Sequence, residues 1–171
     1  MEPRLRQTAS AFPLLKTAVF FLIVPGTVAG YLPYAVLLRA PEFPPLAEFG
    51  AQEWGGAALA VLGLAGLLWS GWHFATTGRG TPAPFDPPKV FVAVGLYCWV
   101  RNPMYVSVAT ALAGEALFFR SWLLVQYLAV CWLFFHLFVL LYEEPTLREK
   151  FGAPYEDYCR RVPRWLPRLP R

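Results

Sequence analysis

Apolar residues fall into four long runs along the chain, and polar, Pro-rich or Gly-rich sequence separates them. The runs cover residues 14–38, 55–75, 103–119 and 122–142. Crossing the hydrocarbon core takes about 20 apolar residues in a helix, and the helix is the open-chain element that satisfies its own backbone in lipid. The pattern therefore predicts an all-α integral membrane protein, with about four transmembrane helices in a single membrane domain spanning residues 1–171.

The third and fourth runs are separated by Arg120 and Ser121 alone. So short a connection predicts a tight antiparallel helical hairpin, which places the start of the third helix beside the end of the fourth. Residues 76–102 then form a loop, and residues 143–171 form a tail, at that same end of the bundle. Proline and glycine are dense over residues 78–89, which predicts neither regular helix nor strand there.

Several local features bear on the first and third helices. Pro25 and Pro33 lie inside the first run and predict a kink in its helix. The sequence Thr27-Val28-Ala29 resembles a signal-peptide cleavage site, but the apolar run continues to Leu38, so we expect a retained anchor.

Two pairs of small residues four positions apart are compatible with close helix packing, or with chance in a Gly- and Ala-rich chain: Gly26 with Gly30, and Ala109 with Ala113.

Composition and charge support a membrane protein. Hydrophobic residues make up 57% of the chain and charged residues only 15%, whereas soluble domains carry about a quarter charged residues. The net charge is +4, with basic residues concentrated near the N-terminus and in the tail. By the positive-inside rule this distribution predicts cytoplasmic N- and C-termini, rather than nucleic-acid binding. Membrane lipids are expected partners, and the oligomeric state stays open.

For isolated polar or reactive side chains in or near the runs, we expect packing or pairing roles rather than catalytic or metal-binding ones. The cysteines Cys98, Cys131 and Cys159 show no metal-binding spacing, so we expect no disulfide and no metal site. Cys131 lies inside an apolar run and should pack as a small hydrophobic residue. Glu115 lies inside the third run, where we expect it to pair with Arg120 or to extend toward the interface.

One helix start has the character of an anion site. Asn102 and Pro103 begin the third run, and Asn is a preferred N-cap while Pro is favoured at the first helical position. The free N–H groups and positive dipole end of this helix would lie next to the Arg101 guanidinium. A carboxylate or phosphate is the kind of group that such an arrangement suits.

Two adjacent carboxylates end the fourth run. Glu143 and Glu144 would oppose the dipole at a helix C-terminus, so they either pair with Arg148 and the basic tail or bind a cation. His136 lies on roughly the same helix face, which predicts a polar stripe leading into the membrane. S-adenosylmethionine carries both a carboxylate and an ammonium, and it is one ligand whose charges match the two helix ends.

Motifs in the second half of the chain resemble, in the same order, those of the isoprenylcysteine carboxyl methyltransferase and phospholipid methyltransferase superfamily. The segment Gly95-Leu-Tyr-Cys-Trp-Val-Arg-Asn-Pro-Met-Tyr105 resembles its Gly-Pro-Tyr…Arg-His-Pro-x-Tyr motif, and Glu143-Glu144 matches its paired glutamates. Residues 151–158 and 162–167 are similar to its C-terminal signature, and residues 80–88 to the loop of its bacterial members. The resemblance covers about half of the chain.

The resemblance implies a methyltransferase that uses S-adenosylmethionine at the cytoplasmic membrane face. The acceptor would be a small, lipid-like or amphipathic molecule offering a carboxylate, an amine or a thiol. The expected catalytic residues are Arg101, Glu143 and Glu144. Together with the polar stripe, the resemblance predicts a cofactor pocket formed by the hairpin and the tail, with these residues: Gly95, Leu96, Tyr97, Arg101, Asn102, Pro103, Tyr105, His136, Glu143, Glu144, Tyr155 and Tyr158.

The sequence also departs from the family pattern and leaves alternatives open. Asn102 stands where the family often has His, so proton transfer is not expected at this position. Leu96 stands where the family frequently has Pro, and Cys98 stands where it frequently has Arg. These two departures concern the acceptor side of the pocket more than the cofactor side. Tyr155 and Tyr158 have a second interpretation as aromatic anchors of an interfacial helix. Two other functions stay open: a nicotinamide-dependent membrane reductase with a related C-terminal hairpin, and a non-enzymatic membrane scaffold or transporter subunit.

Overall fold

The computed structural model describes residues 11–37, 49–78 and 92–168, of which residues 11–15 and 37 are described by their backbone alone. The predicted irregular backbone of the Pro-rich loop falls almost entirely outside these ranges. Every regular element within them is helical, as the sequence predicts. The α-helices are α1 Ala11–Gly26, α2 Leu32–Leu37, α3 Ala51–Thr77, α4 Pro103–Phe118, α5 Trp122–Phe138, α6 Glu144–Phe151 and α7 Ala153–Arg161.

Within the described residues, three continuous helical stretches are long and apolar enough to cross a membrane, namely Lys16–Val36, Ala51–Thr77 and Trp122–Phe151. The fourth apolar helix, α4, is shorter, as the length of its run predicts. The all-α membrane architecture is therefore confirmed. The last stretch differs from its predicted bounds, because the helix does not end at residue 142 but continues through both glutamates to Phe151.

Two π turns interrupt the long helices, and each precedes a proline by two residues. Thr27–Tyr31 joins α1 to α2 ahead of Pro33, and Val139–Glu143 joins α5 to α6 ahead of Pro145. Proline offers no N–H to the carbonyl four residues earlier and its ring crowds that carbonyl, so a locally widened turn relieves the mismatch. The helix thus absorbs Pro145 without ending, which places Glu143 and Glu144 inside a continuous helix.

The closest helix packing joins α3 to α4 through small residues. A Cβ atom added to Gly63 would lie 2.4 Å from the Ala111 nitrogen, and one added to Gly114 would lie 2.3 Å from the Ala60 nitrogen. By contrast, a Cβ added to Gly30 would have no neighbouring atom within 4 Å among the residues searched. Of the two alternatives for Gly26 and Gly30, chance spacing therefore fits better. The close helix contact is made by small residues on α3 and α4.

We expect Gly63→Ala to destabilise the protein by about 1–3 kcal/mol, since its methyl group must push the α4 backbone away. Gly30→Ala is the matched control, because it also replaces a helical glycine but meets open space. It should be neutral or slightly stabilising, as alanine has the higher helix propensity by roughly 1 kcal/mol. Thermal unfolding in detergent compares the two, and equal stability of both variants would contradict the packing described.

The hairpin turn is fastened to the start of α3. Arg120, whose φ is +48°, lies in the turn and donates from Nε to Glu53 Oε1 at 2.7 Å. The other oxygen of the fully buried Glu53 accepts the Gly50 N–H at 2.8 Å. Glu53 therefore lies in the first turn of α3 and joins it to the hairpin turn. The expected pairing of Glu115 with Arg120 is wrong, and Glu115 Oε2 is buried without a hydrogen-bond partner in the described part of the chain.

Candidate functional site

A pocket opens at the end of the bundle where α3 ends and α4 begins, here called the loop end. It encloses about 670 Å³ including its open mouth. Its rim is polar, whereas its deeper wall is apolar and is built from α1, α3, α4 and α5. The lining residues are Phe20, Val24, Pro25, Val28, Leu67, Phe74, Tyr97, Arg101, Asn102, Pro103, Met104, Tyr105, Val108, Phe135 and Glu143.

Arg101 contributes a guanidinium to the rim of this pocket. Its Nη1 donates to Glu144 Oε1 and to Cys159 Sγ, both at 2.9 Å. Its Nε is buried and has no hydrogen-bond partner within the described residues. An unsatisfied buried donor costs about 1–3 kcal/mol, so a ligand oxygen placed there would relieve that cost. The residues present thus fit a ligand with an anionic group.

The start of α4 lies beside this arginine. Pro103 occupies the first helical position, as predicted, and the pocket reaches Pro103, Met104 and Tyr105. Asn102 occupies the N-cap position, as predicted, but its side chain makes no capping hydrogen bond. Its Nδ2 donates to the Arg164 carbonyl at 3.2 Å. The first amide groups of α4 still lack helical acceptors, and they add a positive helix end to the Arg101 side of the rim.

The two glutamates have different surroundings. Glu143 lines the pocket, and Tyr105 Oη donates to its Oε2 at 2.9 Å. Tyr105 lines the pocket too and packs on Phe135, with ring centroids 5.0 Å apart. Glu143 and Arg101 therefore line the same pocket, a pattern suited to a ligand that carries both charges.

Glu144 is buried and is not among the lining residues. Its Oε1 accepts Arg101 Nη1 at 2.9 Å and Arg164 Nε at 2.6 Å. Its Oε2 accepts Arg164 Nη2 at 3.0 Å and lies 3.6 Å from Arg148 Nη2. The pairing with Arg148 and the basic tail that the sequence allowed is present here. Glu144 therefore holds Arg101 and the tail in place.

The loop residues 92–102 form a compact turn over the end of α3. Gly95 has φ +60°, and a Cβ added to it would lie 2.6 Å from the His73 ring. Tyr97 lines the pocket and its carbonyl accepts Tyr158 Oη at 2.7 Å. Burial is the main cause that raises the pKa of the Tyr158 phenol, which keeps it protonated as the donor. Of the predicted loop residues, Tyr97 reaches the pocket, whereas Gly95 and Leu96 shape the turn behind it.

The tail folds back on this loop, as predicted from the sequence motifs. The Pro163 carbonyl accepts the Arg101 N–H at 2.9 Å, and the Trp99 carbonyl accepts the Arg168 N–H at 3.0 Å. Tyr155 and Tyr158 are buried in a cluster with Val162, Ala93, Leu147, Phe151 and Cys159. They are absent from the pocket lining and support it from behind, and their burial inside the protein does not suit the alternative of interfacial anchors.

His136 likewise acts on the tail rather than in the pocket. Its Nδ1 accepts Trp165 Nε1 at 3.1 Å, and Trp165 also packs on Trp132 with ring centroids 4.7 Å apart. This contact docks the tail on α5. No sequence pattern indicates that Trp165 docks the tail, or that Phe135 and the α1 residues line the pocket. Such aromatic and apolar side chains look like any other interfacial or membrane-facing residue.

The fold and this site define a small helical membrane protein with a charged, partly apolar pocket at one end. A family model described as "Phospholipid methyltransferase" matches residues 51–154, more than half of the chain, and the protein belongs to this family. The matched region contains α3, α4, α5, α6 and the charged rim. The resemblance noted in the sequence motifs is thereby confirmed.

Two curated proteins are similar to this chain. "Nickel-cobalt-cadmium resistance protein NccN" from Alcaligenes xylosoxydans xylosoxydans is 29% identical over 121 residues, which cover 69% of this chain and 54% of that protein. "Methanethiol S-methyltransferase 2" from Bradyrhizobium diazoefficiens is 30% identical over 132 residues, which cover 68% and 50%. The chain spans about half the length of these relatives. No solved structure matches significantly.

Proposed function

We propose that this protein transfers a methyl group from S-adenosylmethionine to a small or amphipathic acceptor held in the pocket at the loop end. Membership of the phospholipid methyltransferase family supports the reaction class. The observation that carries the cofactor assignment is that Arg101 and Glu143 line one pocket, and that Arg101 Nε is buried without a hydrogen-bond partner among the described residues.

In this proposal Arg101 Nε and the first amides of α4 bind the cofactor carboxylate. Glu143, oriented by the Tyr105 hydroxyl, faces the ammonium group. Bound in this way, the cofactor supplies an electrophilic methyl group on a sulfonium. Glu144 binds no ligand here and positions Arg101, which changes its expected role from cofactor contact to support.

The acceptor would occupy the apolar wall formed by Val24, Leu67, Val108 and Phe135. A lone pair of its nucleophile forms the new bond to the methyl carbon as the carbon–sulfonium bond breaks, and the bonding pair stays on the sulfur of S-adenosylhomocysteine. A thiol acceptor releases its proton to water at the open mouth. The relative named methanethiol S-methyltransferase supports including thiols among the acceptors, beside amines and carboxylates.

We also propose that the loop end lies at the cytoplasmic face of a bacterial inner membrane. The basic residues of the tail at this end support that orientation under the positive-inside rule. A cytoplasmic cofactor could then enter through the open mouth, while an amphipathic acceptor could approach from the membrane.

Methyl transfer can be tested directly in membranes from cells that express the protein. Methyl-labelled S-adenosylmethionine is supplied with alkyl thiols, amines and carboxylates, and products are identified by mass. We expect one acceptor class to gain the label and S-adenosylhomocysteine to inhibit the transfer. Absence of labelled product, together with oxidation of a reduced nicotinamide cofactor, would instead favour the reductase alternative.

A further inference from the structure

The pocket has a defined floor on the side facing the membrane interior. Its deepest wall residues, Leu67, Val108 and Phe135, belong to one buried cluster with Leu112 and Cys131. Leu112 follows Val108 by one helical turn on α4, and Cys131 precedes Phe135 by one turn on the antiparallel α5. Both therefore lie one turn further from the loop end than the wall residues. Leu112 is fully buried and Cys131 is buried.

On the side of α1, a hydrogen bond to α5 lies near the floor of the pocket. Tyr127, one further turn down α5 from Cys131, donates from Oη to the Val28 carbonyl at 2.8 Å. Val28 belongs to the π turn that follows α1, and it lines the deep end of the pocket. The bond therefore ties this turn to α5 at the deep end of the pocket.

The helices give the depth of the pocket from rim to floor. Phe20 on α1 and Val28 in the following π turn bound it on one side. Phe135 on α5 and Glu143 in the π turn after α5 bound it on the other, and each pair is eight residues apart. Eight residues rise roughly 12 Å at 1.5 Å per residue. The apolar group of an acceptor therefore has at most this depth available above the floor.

We propose that Leu112 and Cys131 are specificity-determining residues, which limit the length of the apolar group that an acceptor can insert. This inference rests on the proposed methyl transfer and narrows its acceptor class. The acceptor is a nucleophile on a short alkyl or aryl group, and a full-length acyl chain does not fit upright above this floor.

An acceptor series with matched variants tests the floor. Propane-, hexane-, decane- and tetradecanethiol are compared, with the corresponding amines and carboxylates, and kcat/KM is measured for each chain length. Wild-type activity should fall off at the longer chains. Leu112→Ala should raise the ratio of long-chain to short-chain kcat/KM at least threefold, because the removed side chain deepens the pocket. Cys131→Leu should lower that ratio, because the larger side chain raises the floor.

Leu124→Ala is the matched control, since Leu124 is also a fully buried leucine but lies outside the pocket and its cluster. It should lose comparable stability and keep the wild-type length profile. Should Leu112→Ala fail to fold, Leu112→Val and Cys131→Leu give the same comparison. If an active Leu112 or Cys131 variant keeps the wild-type dependence of kcat/KM on chain length, these residues do not limit the acceptor. The proposed methyl transfer would still stand. Absence of methyl transfer to every acceptor in the wild type would instead contradict the proposed function.

Discussion

Replacing Glu144 by glutamine should release the tail and weaken S-adenosylmethionine binding by tenfold or more. The carboxylate joins Arg101, Arg164 and Arg148, and it is the group that holds these cations together. Removing one partner of a buried ion pair costs about 3–5 kcal/mol. We expect a loss nearer 2–3 kcal/mol, because Arg148 and Arg164 remain partly exposed.

The role of Glu144 as a positioning residue has a distinct kinetic signature. Because it acts through Arg101, Glu144→Gln should raise KM for the cofactor more than it lowers kcat, and Glu144→Asp should restore part of the affinity. Glu149→Gln is the matched control on the same helix, since Glu149 is exposed. A Glu144→Gln variant with wild-type cofactor affinity and an intact tail, as judged by protease resistance, would contradict this role.

Compared with Glu144→Gln, replacing Glu143 by glutamine should lower cofactor affinity more and the free energy of unfolding less. Glu143 lines the pocket, so the variant loses a charged contact with the cofactor ammonium, worth about 1.5–3 kcal/mol. At 1.4 kcal/mol per factor of ten, this is roughly a ten- to hundredfold loss of affinity. Titration calorimetry and steady-state kinetics both report it.

Tyr105 should act through the same carboxylate. Tyr105→Phe removes the hydroxyl that donates to Glu143 at 2.9 Å, and we expect roughly a tenfold loss of affinity. The double variant Tyr105→Phe/Glu143→Gln should lose little more than Glu143→Gln alone, since the two residues form one unit. If Glu143→Gln lowers kcat and leaves KM unchanged, Glu143 acts as a base instead of a cation-binding group.

Features set by local sequence could be predicted well. Run length and composition predict membrane-crossing helices, since lipid leaves few backbone alternatives. The short connection at Arg120 and Ser121 predicts the hairpin, and the structure confirms that α4 and α5 follow each other directly. The hairpin in turn predicts that Arg101 and Glu143 approach one another, and both line the pocket.

Features set by long-range contacts could not be predicted. The end of the apolar run predicts a helix end at Glu144, but its partners Arg101 and Arg164 lie 43 and 20 residues away. The pairing of Arg120 with Glu53 spans 67 residues and displaced the local partner Glu115. Spacing along a helix shows which residues share a face, but not which face meets another helix. The contact of Gly63 with α4 was missed for that reason.

Binding of S-adenosylmethionine to the purified protein in lipid nanodiscs tests the proposed site most directly. Arg101→Lys keeps a positive charge near Glu144 but removes the unpartnered Nε donor, while Arg120→Lys makes the same change at the opposite end of the bundle. We predict saturable binding that S-adenosylhomocysteine displaces, weakened about tenfold or more by Arg101→Lys and unaltered by Arg120→Lys. Equal affinity in the wild type and in Arg101→Lys, or no binding to any of the three proteins, would contradict a cofactor site at Arg101.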